Sequence, residues 1–144
     1  MKKELSGRLV LDTSVLIELI FSTLSGLKLK QALKNGLVEA HTTELHIAEL
    51  RYILCRRLGL TESSERVDKL LTSGYITVED ISPLILDASK YKCERAISLA
   101  DCFCLASAPK PFYSAIFARR EKDLLREMQK KPFDREIIFL EDYE

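Results

Sequence analysis

Several acidic side chains in this sequence have no cation in their local neighbourhood. Asp12 follows the apolar residues Leu9, Val10 and Leu11, and two hydroxyls, Thr13 and Ser14, come directly after it. Glu49 lies in TELHIAELRYIL (43–54), where its neighbours at helical spacing are Leu45, His46, Tyr52 and Ile53, with no Lys or Arg among them. Asp101 lies in SLADCFCLASA (98–108), and its helical neighbours Ile97, Ser98, Cys104 and Leu105 form an almost wholly apolar face. Glu121 and Asp123 sit in RREKDL (119–124). Each has an ordinary explanation of its own. Asp12 could cap a helix. Glu49 could be half-exposed or bonded to His46. Asp101 could reach back to Ser98 in a capping box. Glu121 and Asp123 could belong to a solvated turn.

Taken together, the acids suggest a different chemistry. Two carboxylates about 4 Å apart repel by roughly 4 kcal/mol at an effective dielectric near 20. Three such pairs would rival the whole stability of a domain, roughly 5–15 kcal/mol. A cluster of this kind must take up protons or bind a cation, and oxygen-only donors favour Mg²⁺ or Mn²⁺. An aspartyl nucleophile for phosphoryl transfer is a competing use of Asp12. Phosphatases of that kind carry a second Asp two residues on, and here that position is Ser14.

The elements that must position the acids can be read from the sequence. RLVLD (8–12) predicts a buried strand ending at Asp12. A helix follows, with Thr13 or Ser14 able to cap it, and LKLKQALKNG stops at Asn35-Gly36. LVEAHT (37–42) predicts a second strand, and residues 43–59 a helix closed by Arg56, Arg57 and Gly59. Residues 61–74 predict a shorter helix capped by Thr61 and stopped at Gly74, and YITVED (75–80) an edge strand or extended link. Ser82 as cap and Pro83 at the first position open the next helix. SLADCFCLASA predicts another, which cannot continue into Pro109-Lys110-Pro111. FYSAIFA (112–118) and REIIFL (135–140) predict strands separated by a charged segment with a short helix. This alternation predicts one α/β domain over 1–144 with a mainly parallel sheet, in which ligands bind outside the carboxyl ends of the strands.

The chain has 144 residues, 47% hydrophobic and 31% charged, and its 22 basic and 22 acidic residues balance. A net charge of zero argues against a sequence-independent coat on DNA. A local basic strip remains in Arg119, Arg120, Lys122, Arg126, Lys130 and Lys131, to which Arg51, Arg56 and Arg57 could add. The strip could contact RNA phosphates or form a solvated helix face. Cys55, Cys93, Cys102 and Cys104 lack zinc-ligand spacing and read as reduced, mostly buried thiols. Glu18 interrupts the first apolar run before it reaches membrane-span length, and MKKELSGR has no apolar core of a signal peptide, so a cytoplasmic location is expected.

These motifs resemble those of the PIN-domain family, a fold of many small metal-dependent ribonucleases. LVLDTSVLIELI resembles the opening strand with its Asp-[Ser/Thr] signature, and TTELHIAELRYIL the helix with the central Glu. ISLADCFCLASA resembles the helix with the third acid, and AIFARREKDL the strand and turn with the fourth. The resemblance implies a three-layer α/β sandwich and catalytic, metal-binding roles for Asp12, Glu49, Asp101 and Glu121. It adds Asp123 as a further ligand, Ser14 as support for Asp12 or a metal water, and Arg119, Arg120, Lys122 and Arg126 as RNA contacts. It also implies a Mg²⁺ or Mn²⁺ cofactor, a single-stranded or structured RNA substrate, homodimerisation and an antitoxin partner, as in VapC-like toxins. The fourth motif departs from the family, because Arg119 stands where a hydroxyl is usual and Glu121 where Asp is usual. An alternative is therefore a PIN-like RNA- or protein-binding scaffold with weak or no activity. Val67, Leu70 and Leu71 form a small apolar face that could pack on the preceding helix, a second subunit or an antitoxin helix.

Overall fold

The computed structural model describes residues 4–143; Met1–Lys3, within the stretch weighed as a signal peptide, lie outside them, as does Glu144. β1 (Gly7–Leu11) leads into α1 (Thr13–Ile20) and α2 (Leu24–Lys34), and β2 (Val38–Thr43) into α3 (Glu44–Leu58) and α4 (Leu60–Thr72). β3 (Ile76–Glu79), a 3₁₀ turn (Ser82–Leu84), α5 (Ile85–Glu94) and α6 (Leu99–Ala106) follow. The chain then forms β4 (Ser114–Phe117), α7 (Lys122–Lys130), β5 (Glu136–Phe139) and a closing 3₁₀ turn (Leu140–Tyr143). The five strands form one parallel sheet in the order β3-β2-β1-β4-β5. YITVED therefore contains an edge strand.

Both faces of the sheet are covered, which is why the central strands β1 and β4 carry the short apolar runs Leu9-Val10-Leu11 and Ala115-Ile116-Phe117. Leu9, Leu11 and Ile116 face a core shared with Leu16, Leu50, Leu54 and Val67 on α1, α3 and α4. Val10, Ala115 and Phe117 alternate to the opposite face and pack with Leu105 and Leu124 of α6 and α7. The strand order reverses beside β1: β2 and β3 were added on one side, β4 and β5 on the other. A crevice forms at such a switch point, at the carboxyl ends of β1 and β4. Among the described residues, no helix is long and apolar enough to cross a membrane.

Several local expectations are corrected. β1 stops at Leu11, and Asp12, not Thr13 or Ser14, caps α1, because its carboxylate accepts from the Ser14 amide. Gly59, at φ 84°, ends α3 and starts α4 directly, which places Thr61 inside α4. Ile81 precedes the 3₁₀ turn, and Ser82 is its first residue rather than a cap. α1 and α2 separate at Ser22, whose φ is 50°, and Gly26 of α2 lies against the Glu18 backbone. Val67 is fully buried and Leu70 and Leu71 pack on the same core, so that apolar face is turned inward. Cys102 and Cys104 are buried, but Cys93 is exposed and Cys55 only half-buried; all four are free thiols.

Candidate metal centre

Asp12 is held by both strands that flank the crevice. Its amide donates to the Ile116 carbonyl at 3.0 Å, tying it to β4. Its Oδ2 accepts from the Ser14 amide at 3.1 Å and from Ser14 Oγ at 2.6 Å. Ser14 Oγ in turn accepts from the Ala118 amide at 3.1 Å, just past the end of β4. Ser14 thus bridges the two sides of the switch point through Asp12. The residue is 5% exposed, a low value for a carboxylate with no Lys or Arg beside it in the cleft.

Asp101 enters from α6. Ser98 caps this helix by accepting the Asp101 amide at 3.1 Å, one half of the expected capping box. The Asp101 side chain lies against the crevice and the residue is 6% exposed. Burial pushes its carboxyl up to about 8, and the Asp12, Glu121 and Glu49 carboxylates add to the shift against a hydrogen bond with Ser98. Glu49, half-buried on α3, faces the same cleft. Glu121 precedes α7 without capping it and also lines the cleft; burial and then Asp12, Asp123 and Glu49 raise its carboxyl.

Four of the predicted acids, Asp12, Glu49, Asp101 and Glu121, thus line one cleft of about 210 Å³, together with Thr13 and Ser14. The Thr13 hydroxyl is buried there and has no hydrogen-bond partner. Among the described residues, no three His, Cys, Asp or Glu side chains stand close enough to hold one ion as they are. The carboxylates nonetheless perturb one another, and no Lys or Arg lines the cleft. Oxygen donors in excess of their counter-charge, beside an unsatisfied hydroxyl, fit a hard divalent cation. A larger groove of about 400 Å³ between α1, α2, α4 and β3 has no acid in its lining.

Asp123 is not brought into the cleft. Its side chain is 71% exposed and pairs with Arg126 at 3.5 Å. Arg120 is also occupied: it holds Asp142 at 2.6 Å and Glu141 at 3.2 Å, and lies over the Phe139 ring. Arg119 is 75% exposed and only loosely associated with Glu18, at 3.9 Å. Lys122 is exposed. Arg51 pairs with Asp68 at 2.7 Å, while Arg56 and Arg57 lie over Tyr52 and Phe21.

Sequence reasoning offered His46 only as a hydrogen-bond partner for Glu49; the ring is fully buried among the acid-bearing elements. Its Nδ1 is 2.6 Å from Thr43 Oγ1, its Nε2 2.9 Å from the Ala100 carbonyl, and Nε2 is also 3.7 Å from Asp12 Oδ1. Burial holds the ring below the usual histidine range, against the pull of Asp12, Ala100 and Glu49. The signal was present as Thr43-x-x-His46, a helix cap followed one turn later by a ring that can reach its hydroxyl.

The PIN domain family model matches residues 9–111, a span that contains Asp12, Glu49 and Asp101 and ends before Glu121. A chain in the crystal structure of VapBC2 from Rickettsia felis bound to a DNA fragment from their promoter is similar in fold. Its TM-score is 0.68 at 14% identity, covering 92% of this chain and 98% of that one. A chain in a toxin–antitoxin complex from Klebsiella pneumoniae gives a TM-score of 0.61 at 18% identity, covering 91% and 96%. No curated protein shows significant similarity in sequence.

Proposed function

The chain belongs to the PIN domain family, and from that premise we propose that it is a metal-dependent endoribonuclease. In this reading it hydrolyses phosphodiester bonds in single-stranded or structured RNA and acts as the cytoplasmic toxin of a toxin–antitoxin pair. The observation that carries the reading is the convergence of Asp12, Glu49, Asp101 and Glu121 on one cleft without a cation, with Asp101 raised to about 8. Toxin–antitoxin complexes among the solved structures of similar fold support the biological role with an antitoxin as partner, and homodimerisation belongs to the same proposal.

Asp12, Glu49, Asp101 and Glu121 would hold Mg²⁺ or Mn²⁺, which when bound supplies an activated water and polarises a phosphoryl oxygen. Ser14 holds the Asp12 carboxylate in place through Oδ2. Asp101 is the carboxyl that retains a proton near neutrality while the cleft lacks a cation, and it must release that proton for the site to load. Arg119, Lys122 and Arg126 stand exposed beside Glu121 and offer phosphate contacts. Arg120 is bound to Glu141 and Asp142 and contributes less. One domain spans residues 1–144 in this reading.

Arg119 and Glu121 at the fourth motif favour a second reading, a PIN-like scaffold without activity. Cleavage of a labelled single-stranded RNA with Mn²⁺ separates the two. Cutting that disappears with EDTA and in Asp101→Asn supports the nuclease. Absence of both cutting and Mn²⁺ binding by calorimetry favours the scaffold.

A further inference from the structure

We infer that His46 is a positioning residue for the acid cleft: one ring N–H, bonded to the Ala100 carbonyl with the Asp12 carboxylate 3.7 Å away, sets where Asp12 stands relative to the helix that carries Asp101. The consequence for metal binding rests on the nuclease reading above; the placement itself does not.

The hydrogen bonds fix the tautomer. A carbonyl oxygen can only accept, so Nε2, at 2.9 Å from Ala100 O, carries the ring proton. Nδ1 is then an acceptor, and the Thr43 hydroxyl donates to it at 2.6 Å. Thr43 Oγ1 also caps α3, so the ring is fixed to the start of the helix that bears Glu49. The Nε2 partner is 54 residues away in sequence and directly precedes Asp101. Asp12 Oδ1 lies 3.7 Å from the same nitrogen, too far for a hydrogen bond but within the field of the N–H dipole. His46 is therefore a three-way junction between the elements that present Asp12, Glu49 and Asp101.

A neutral donor suits this position. A Lys or Arg would neutralise the acids and compete with a cation. The imidazole orients Asp12 Oδ1 without adding charge, while Ser14 holds Oδ2 from the other side. Groups that orient metal ligands typically change metal affinity 10–100-fold when removed.

The test uses the full chain, with His46→Leu to remove both ring bonds and His46→Gln to restore a donor near Nε2. In metal-free protein, imidazole nitrogen NMR should show the proton on Nε2; a proton on Nδ1 overturns the assignment. A double-mutant cycle of His46→Leu with Asp12→Asn, read by urea unfolding, should be non-additive by roughly fivefold or more in the unfolding constant. Additivity overturns the positioning role whether or not a metal binds. Mn²⁺ calorimetry should then show about 10–100-fold weaker binding for His46→Leu, largely recovered in His46→Gln. Unchanged affinity in the Leu variant overturns the proposal. A wild-type chain that binds no Mn²⁺ refutes the nuclease reading instead, and the metal-free cycle still decides the placement.

Discussion

Replacing Asp101 with Asn should stabilise the metal-free protein at alkaline pH and leave it nearly unchanged in acid. The folded Asp101 carboxyl sits at about 8, against an ordinary value of 3.8. Between those values the folded chain holds a proton that the unfolded chain has released, so stability falls as pH rises. The contribution is fully present below the unfolded value and is lost as pH climbs through the folded one. Each pH unit in that window corresponds to about 1.4 kcal/mol, so from about pH 5 to about pH 8 the upper limit is about 4 kcal/mol. The cleft is open to water, which brings the expected loss to about 2 kcal/mol. Urea unfolding in EDTA across this range measures it. All other titrating groups are common to both proteins, so the difference between the two profiles reports Asp101 together with its coupling to Asp12, Glu121 and Glu49. The profiles should meet below about pH 4, under the ordinary value of 3.8, and diverge above it, with Asp101→Asn the more stable. Parallel profiles, or a variant that falls below wild type at pH 8, would refute the reasoning. With Mn²⁺ the wild-type trend should reverse, because affinity rises up to tenfold per pH unit until Asp101 is deprotonated.

Ser14→Ala removes the 2.6 Å bond to Asp12 and leaves the Ala118 amide without its acceptor; urea unfolding should show a loss of about 1–3 kcal/mol, and calorimetry weaker Mn²⁺ binding. Gly26→Ala would place a Cβ 2.0 Å from the Glu18 carbonyl oxygen; it should cost about 1–3 kcal/mol or more in the same assay with Mn²⁺ affinity retained. Arg119→Ala or Lys122→Ala should lower the salt dependence of single-stranded RNA binding, measured by anisotropy in EDTA, by a slope of roughly 0.7 per lost phosphate contact. Arg120→Ala should leave that slope nearly unchanged and lower stability, because its guanidinium is already engaged by Asp142 and Glu141.

The alternation of strands and helices was legible because Leu9, Val10 and Leu11 of β1 and Ala115, Ile116 and Phe117 of β4 are each committed to one of two apolar faces, and Glu49 and Asp101 were legible because no Lys or Arg stands at helical spacing from them. Helix starts were less so. Asp12, Thr13 and Ser14 are all competent caps, and the choice fell to Asp12 because its backbone is already fixed by Ile116. Thr61 lost to Gly59 because a positive φ lets α3 turn into α4 without a spacer. Asp123 and Glu121 differ by only two residues, yet one faces Arg126 and the other the cleft, a distinction set by the first turn of α7. His46 was hidden because its decisive partner, Ala100, is a backbone carbonyl with no side-chain signature.

The four acids of the cleft are not equivalent, and the difference bears on why they approach one another without already forming a closed ligand set. Asp12 and Asp101 have short side chains on buried backbone, 5% and 6% exposed, and both lie next to groups that fix them: Ser14 and His46 for one, the Ser98 cap for the other. Glu49 is only half-buried and Glu121 is exposed, and each has a longer side chain. Like charge drives these flexible carboxylates apart until a cation offsets the repulsion, and ordering each costs roughly 1–2 kcal/mol of rotamer entropy. Removing charge from the buried pair should therefore move stability and metal affinity in opposite directions, since the folded chain already bears the strain of that pair. Removing it from the exposed pair should move affinity alone. On this argument the longer Glu at position 121 is tolerable at the fourth motif: it delays the cost of ordering until the ion arrives, instead of building that cost into the fold.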